Sequence, residues 1–397
     1  MKKDTKIVSA GRSKQWTQGM VNPPVYRAST VVFDSVREMK QATAKRAERV
    51  PFYGRRGTPT TFAFQEAMCE LEGGAGCYVY PCGTAAITSA ILAFVKNGDH
   101  LLMVDNVYEP TRDFCSKTLA NLGIEVTFYD PMIGADISTL IRDNTKVIFL
   151  ESPGSLTMEV QDVPGICSAA KQCNPDITVI MDNTWASPLH FQPFDYGVDV
   201  SVQAATKYIV GHSDCMLGTA TANEKCWPTL REHSYLLGQC ASPDDIYLAM
   251  RGIRTLGVRL KQHQQAGLQV AKWLQKRDEV ETVLHPMLAS SPGHEFFKRD
   301  YLGGNGLFSF VLKDSDPTAI AAMLDHMQHF KMGFSWGGYE SLILANSHID
   351  TMRTATTWPK NVTLVRLHVG LEDVEDLIDD LEQGLERFNQ ALAATCR

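Results

Sequence analysis

The chain has no excess of positive charge, no membrane-length apolar run and no closely paired cysteines, and each absence removes a class of function. With 38 basic against 45 acidic residues and a net charge of −7, it offers no basic face to a phosphate backbone, so nucleic acid is not expected as its main partner. No stretch approaches the length of a bilayer span, and Met1-Lys2-Lys3-Asp4-Thr5-Lys6 lacks the apolar centre of a secretory signal, so a cytoplasmic protein is expected. Ten cysteines are present, but no two stand in the C-x-x-C spacing of a zinc ribbon. Cys69, Cys77, Cys82, Cys115, Cys167, Cys173, Cys215, Cys226, Cys240 and Cys396 are therefore expected as reduced thiols packing as small hydrophobes, with no metal site. Repeats and low-complexity tracts are absent as well. A length of 397 residues exceeds one ordinary core and implies two domains or more.

What is present divides into three regions. Residues 1 to about 57 are polar, with Pro23-Pro24 and the basic stretch Lys45-Arg46-Ala47-Glu48-Arg49, and read as an extended arm that cannot bury itself; it is expected to pack on a neighbouring subunit, a flexible tail being the default alternative for a terminus. Over 58–253, strand-like runs (Tyr78-Val79-Tyr80, Leu101–Val104, Val147–Leu150, Val179–Met181, Val200–Val202) alternate with helical stretches, which predicts a mostly parallel sheet covered on both faces, an α/β architecture. Over 254–397 a helix from Thr255 to Leu274 precedes strands at Leu307–Leu312 and Leu364–Val369. An amphipathic helix then runs to Leu392 with Leu377, Leu381 and Leu385 on one stripe, so this region is read as a smaller α+β domain.

Lys207 follows the strand Val198–Val202 among small and hydroxyl neighbours, where an amine is placed for Schiff-base chemistry. Most lysines only solvate a surface, and one such residue is weak evidence. Ile177–Met181 adds to it, reading as a buried strand that ends in Asp182-Asn183-Thr184-Trp185 where an α/β sheet presents its ligands, although Asp-Asn is also common in turns. An Asp and a Lys at successive strand ends fit the pair that pyridoxal 5′-phosphate (PLP) requires, a carboxylate for the ring nitrogen and an amine for the aldehyde. Pro81-Cys82-Gly83-Thr84 leaves a strand and opens a helix, where glycine lets the backbone approach an anion and the helix start supplies N–H groups; a plain strand-to-helix turn has the same pattern. Arg366, a charge inside the apolar Leu364–Val369, needs an anion as partner, either an internal carboxylate or a ligand.

Four segments agree in order and spacing: Phe52-Tyr53-Gly54-Arg55-Arg56-Gly57, Met181–Trp185, Ser201–Asp214 and Ser335-Trp336-Gly337-Gly338-Tyr339-Glu340-Ser341-Leu342. Together they resemble the Cys/Met-metabolism PLP enzymes over nearly the whole chain. The resemblance implies the fold type I (aspartate aminotransferase-like) architecture, with PLP as cofactor, an amino-acid substrate and a homotetramer of dimers that share active sites. By the same resemblance Lys207 holds PLP and removes the Cα proton. Asp182 keeps the ring nitrogen protonated and Tyr108 stacks on the ring. Gly83, Thr84 and Thr206 hold the phosphate together with Tyr53 and Arg55 of a neighbouring subunit. Arg366 takes the substrate carboxylate, while Ser335 and Trp336 close over it.

Departures from the family pattern sort the branches. Ala204 stands where the family commonly has a phosphate-binding serine, a loss of about 1 kcal/mol. Phe334-Ser335-Trp336-Gly337-Gly338 replaces the Glu-Ser-Leu-Gly-Gly of γ-lyases and γ-synthases, and Tyr108-Glu109-Pro110-Thr111 replaces their Tyr-Gly-Gly-Thr. Both departures point to β-elimination at a carbon–sulfur bond, with L-cystathionine as the substrate implied; γ-elimination, or a PLP-binding regulator without turnover, are the alternatives. Phe334 differs from the tyrosine expected in that branch. The distal ammonium and carboxylate of such a substrate call for an anion and a cation. Asp113 and Arg56, with Glu109 as a second acid, are the candidates because they flank Tyr108 and Arg55, although all three read equally as solvated loop charges.

Overall fold

In the computed structural model, which describes residues 1–395, two sheets carry the molecule. The larger is built from β1 (Gly76–Tyr80), β2 (His100–Val104), β3 (Glu125–Tyr129), β4 (Thr145–Glu151), β5 (Thr178–Asp182), β6 (Val200–Gln203) and β7 (Gly218–Ala222), in the order β1-β7-β6-β5-β4-β2-β3. All neighbours are parallel except β7, which runs against both β1 and β6. β4 carries Val147, Ile148, Phe149 and Leu150 fully buried, as strands covered on both faces require. β7 was not anticipated: Gly218-Thr219-Ala220-Thr221-Ala222 lacks bulk because the helix Gly83–Leu92 presses on it, an added Cβ at Gly218 meeting the Cys82 carbonyl oxygen at 2.2 Å. β3, with its exposed Glu125 at the sheet edge, also escaped the sequence pattern.

The smaller sheet contains β8 (Val280–Leu284), β9 (Leu307–Leu312), β10 (Lys331–Met332), β11 (Leu342–Asn346) and β12 (Leu364–His368), in the order β10-β11-β12-β9-β8. The helix Val374–Thr395 lays Leu377, Leu381 and Leu385 into its core, as the periodicity predicted. One unbroken helix, Pro243–Leu274, passes through residues 253 and 254 and packs on both parts of the molecule. The change of pattern seen after 253 therefore lies inside a helix whose first turn, capped by Ser242, begins earlier.

The N-terminal segment corrects the expectation of an extended arm that buries nothing. Helices at Lys3–Ser9, Lys14–Thr17 and Val36–Ala44 interrupt it, and Ile7 and Trp16 are buried among Phe62, Ala63 and Leu256. Trp16 Nε1 donates to Glu66 Oε2 at 2.8 Å, and Arg254 Nη1 donates to the carbonyls of Ile7 and Ala10. Ile7 and Trp16, with the small Ala10, dock the segment into the apolar cluster that Ile253, Leu256 and Leu260 of the long helix share. The stretch between the second and third helices leaves Val21 and Val32 exposed. Among the described residues nine cysteines are free, and no cluster of metal-ligating side chains forms; Cys396 lies outside them.

Candidate active site

The carboxyl ends of β2, β4, β5 and β6 open into one cavity of about 350 Å3, and each of these four strands leads to a side chain that lines it. β5 ends in Asp182 and β4 in Glu151; β2 leads through a short turn to Tyr108; β6 leads to Ala204, Thr206 and Lys207. The helix Gly83–Leu92 starts at the same rim. From the smaller sheet, β12 contributes Arg366, and the loop before β11 contributes Phe334, Ser335 and Trp336. Nine of the expected residues thus meet in one chain: Gly83, Thr84, Tyr108, Asp182, Thr206, Lys207, Ser335, Trp336 and Arg366.

Lys207 Nζ lies 2.6 Å from Ser335 Oγ and 5.3 Å from the centre of the Trp336 ring. Burial and the Arg366 guanidinium lower its pKa to about 8, against the opposing pull of Asp182. A larger neutral fraction is therefore available near pH 7 than an ordinary lysine has, which a nucleophile and base needs. The loop is pressed onto this lysine: an added Cβ at Gly337, where φ is +90°, meets the Lys207 Cα at 2.9 Å, so only glycine fits. His368, which sequence reasoning left without a role, holds the loop from behind, its Nε2 lying 3.1 Å from both the Gly337 nitrogen and the Gly338 oxygen.

Asp182 is both a turn residue and a site residue. Its Oδ1 accepts the Thr184 N–H at 2.9 Å and the Thr184 hydroxyl, which itself accepts the Ala204 N–H at 2.9 Å. Burial raises the Asp182 pKa, while the Thr184 bonds and Lys207 pull it back. Thr184 was missed, although Asp-x-Thr is the pattern in which an aspartate caps the second residue on. Arg366 Nη2 donates to the Ser335 carbonyl oxygen at 3.2 Å, and burial lowers its pKa. No carboxylate pairs with it among the described residues.

The donor set fits PLP. Gly83 lets the helix start approach the lysine loop, an added Cβ there meeting Ala204 Cβ at 2.5 Å. The first N–H groups, at Gly83 and Thr84, lie beyond the reach of intrahelical acceptors and border the cavity, as an anion site requires. The Thr206 hydroxyl is engaged with Leu217, donating to its carbonyl at 3.2 Å and accepting its N–H at 2.9 Å, so it must turn to serve a phosphate.

Four expected residues, and Glu109 with them, stay outside the cavity of their own chain. Tyr53 is exposed; Arg55 Nη1 donates to the Tyr235 carbonyl at 3.1 Å, and the Arg56 guanidinium stacks 4.1 Å from the Tyr235 ring centre. Asp113 pairs with Lys117 on the surface at 2.8 Å.

A family model described as Cys/Met metabolism PLP-dependent enzyme matches residues 4–386. The chain belongs to this family. It is 55% identical over 390 residues to the cystathionine β-lyase MetC of Escherichia coli, covering 98% of this chain and 99% of that one. It is 53% identical to the Haemophilus influenzae cystathionine β-lyase, covering 97% and 98%. An L-alanine/L-glutamate racemase of Wolbachia is 40% identical, with 98% of each covered. Among solved structures, metB of Corynebacterium glutamicum superposes with a TM-score of 0.88 at 29% identity, covering 97% of this chain and 98% of that one. The fold is thus that of PLP-dependent enzymes, and the chain is PLP-dependent.

Proposed function

We propose that this chain is a cystathionine β-lyase, converting L-cystathionine and water to L-homocysteine, pyruvate and ammonia in methionine biosynthesis. The observation that carries the reading is full-length similarity above half identity to the E. coli enzyme, joined to a cavity that gathers an amine, a carboxylate and a guanidinium with no carboxylate partner among the described residues. PLP, when bound, supplies the electron sink that makes loss of a Cα proton possible.

The chain's own groups supply the rest of the reading. Lys207 would hold the cofactor through its amine and, in its neutral form, would take the Cα proton, while the sulfur released as the Cβ–S bond breaks leaves as the thiol of homocysteine after gaining a proton. Asp182, as an anion, would hold the ring nitrogen of bound PLP in its protonated form. Tyr108 covers the ring face and Arg366 takes the α-carboxylate in its fork. Ser335 steadies Lys207, and Trp336 keeps water from it. Gly83, Thr84 and Thr206 cradle the phosphate.

Residues 1–57 serve as the arm through which Tyr53 and Arg55 complete the phosphate site of a neighbouring subunit in a homotetramer of dimers. Residues 58–253 form the PLP-binding domain and 254–397 the smaller one, and the enzyme works in the cytoplasm. Among the described residues no helix is long and apolar enough to cross a membrane. The racemase relative favours a second reading, since racemisation also begins with Cα proton removal but expels nothing from Cβ. Incubation of the purified chain with L-cystathionine decides. Pyruvate supports β-elimination, 2-oxobutyrate means γ-elimination, and inverted L-alanine with no keto acid from cystathionine means racemisation.

A further inference from the structure

The role given to Asp182 leaves a second carboxyl in the same cavity without one. Glu151 ends β4 as Asp182 ends β5, and the two are register partners on adjacent parallel strands, so their side chains leave the sheet at one level. Glu151 Oε2 accepts the Tyr108 N–H at 2.8 Å, while the Ser155 N–H donates to the Asn106 carbonyl oxygen at 2.9 Å. Glu151 therefore ties the turn that presents Tyr108 to the end of β4.

The surroundings fix its charge. Facing it are Asp182 from β5 and the Tyr108 phenol; the other titratable groups of the cavity, Lys207, Arg366 and Cys82, act on Asp182 or on Tyr108. Two carboxylates side by side at register-paired strand ends repel one another, so the less stabilised of the two holds a proton. Burial and the Asp182 charge push the Glu151 pKa well above the carboxylate range, whereas Asp182 has the Thr184 bonds and Lys207 to draw it back. Asp182 is thus the member that ionises.

We propose that Glu151 is a positioning residue that works as a neutral carboxylic acid, tethering the Tyr108 backbone and leaving the negative charge of the pair to Asp182. Glutamine preserves both the neutrality and the carbonyl acceptor. Alanine removes the acceptor of the Tyr108 N–H.

The inference rests on the reading of this cavity as the PLP site. The test compares wild type, E151Q and E151A as holoenzymes, by PLP affinity, by kcat/KM and by infrared spectroscopy. E151Q should keep PLP affinity and kcat/KM within about threefold, and E151A should lose kcat/KM at least about tenfold. The wild-type spectrum minus that of E151Q should contain the carbonyl stretch of a protonated carboxyl, a signal that a merely structural side chain does not predict. E151Q falling as far as E151A, or a difference spectrum showing only an ionised carboxylate, overturns the neutral role; E151A equal to wild type overturns the tether. Should E151A fail to fold, E151Q and the infrared band decide alone. A wild type that binds no PLP would remove the reading of the site, whereas normal wild-type binding beside a defective E151Q removes this inference only.

Discussion

Ser335 Oγ and Lys207 Nζ, 2.6 Å apart, join the two sheets of the molecule at the point where the chemistry is proposed to occur. The contact requires Ser335 to sit at φ +79°, in the left-handed region that a residue with a side chain occupies at a cost. Such a conformation persists where its surroundings impose it, and here Gly337 against the Lys207 backbone and His368 behind the loop do so.

Ser335→Gly and Ser335→Ala separate strain from chemistry. Both remove the hydroxyl and should lower kcat/KM by roughly tenfold, the worth of about 1.4 kcal/mol in one hydrogen bond to a charged partner. Only glycine relieves the left-handed backbone, so Ser335→Gly should be the more stable of the two by about 1 kcal/mol. Denaturant titration of both variants checks this, and Ser335→Ala proving the more stable would mean that the loop relaxes without strain.

The lowered pKa of Lys207 predicts how the apoenzyme takes up PLP. The neutral amine is the nucleophile, and it becomes the major form as pH rises through about 8. Reconstitution rates measured by absorbance should therefore climb from pH 6 to about 8 and level off above it. A rate still rising towards the ordinary lysine value would show that burial and Arg366 do not act on the amine as described.

Asp182→Asn keeps the shape and removes the charge. It should bind PLP more weakly and lose about 100-fold or more in kcat with a much smaller change in substrate KM, since the ring proton matters most when the carbanion forms. Steady-state kinetics with saturating PLP checks the split. Near-normal turnover would reduce Asp182 to the turn it makes with Thr184.

Much of this was legible in the sequence because strand-end chemistry is local. Lys207, Asp182 and Tyr108 each follow an apolar run that forms a strand, so knowing the strands places them at one sheet edge. β7 and Thr184 were not legible, for different reasons. The strand is made of small residues whose burial comes from the helix pressed against it, and Thr184 acts through hydrogen bonds to Asp182 and Ala204. Glu151 is the last residue of a run whose apolar part ends at Leu150, and only its register with Asp182 reveals the pair. The docking of Ile7 and Trp16 was hidden as well, because two apolar side chains in a polar stretch give no period to read.

Arg55 offers a test of shared sites. In its own chain it reaches the Tyr235 carbonyl on the surface and does not border the cavity. If it completes a neighbour's phosphate site, Arg55→Ala should weaken PLP binding, and subunit exchange with inactive Lys207→Ala should restore activity. One site of each hybrid then combines the intact lysine of one chain with the intact arm of the other. Hybrids isolated by differential tags and lacking activity would argue that each site is built from one chain.

Arg56 and Asp113 are the candidates for the far end of the substrate, and their present partners set the contest. The Arg56 guanidinium lies over the Tyr235 ring and Asp113 is held by Lys117 four residues on, arrangements that suit surface charges and are worth little individually. Both nevertheless adjoin residues assigned to the cofactor, Arg55 and Tyr108. A group that reads the distal ammonium or carboxylate contributes only when that group is present. Arg56→Ala and Asp113→Asn should then raise KM for L-cystathionine about tenfold while leaving kcat/KM for a β-substituted alanine without a distal amino acid unchanged within about twofold. Tyr235→Ala adds a control, because it removes the stacking partner of Arg56 without touching its charge. Equal losses on both substrates, reproduced by Tyr235→Ala, would assign Arg56 to holding the arm in shape, and selection of cystathionine would have to come from elsewhere in the cavity.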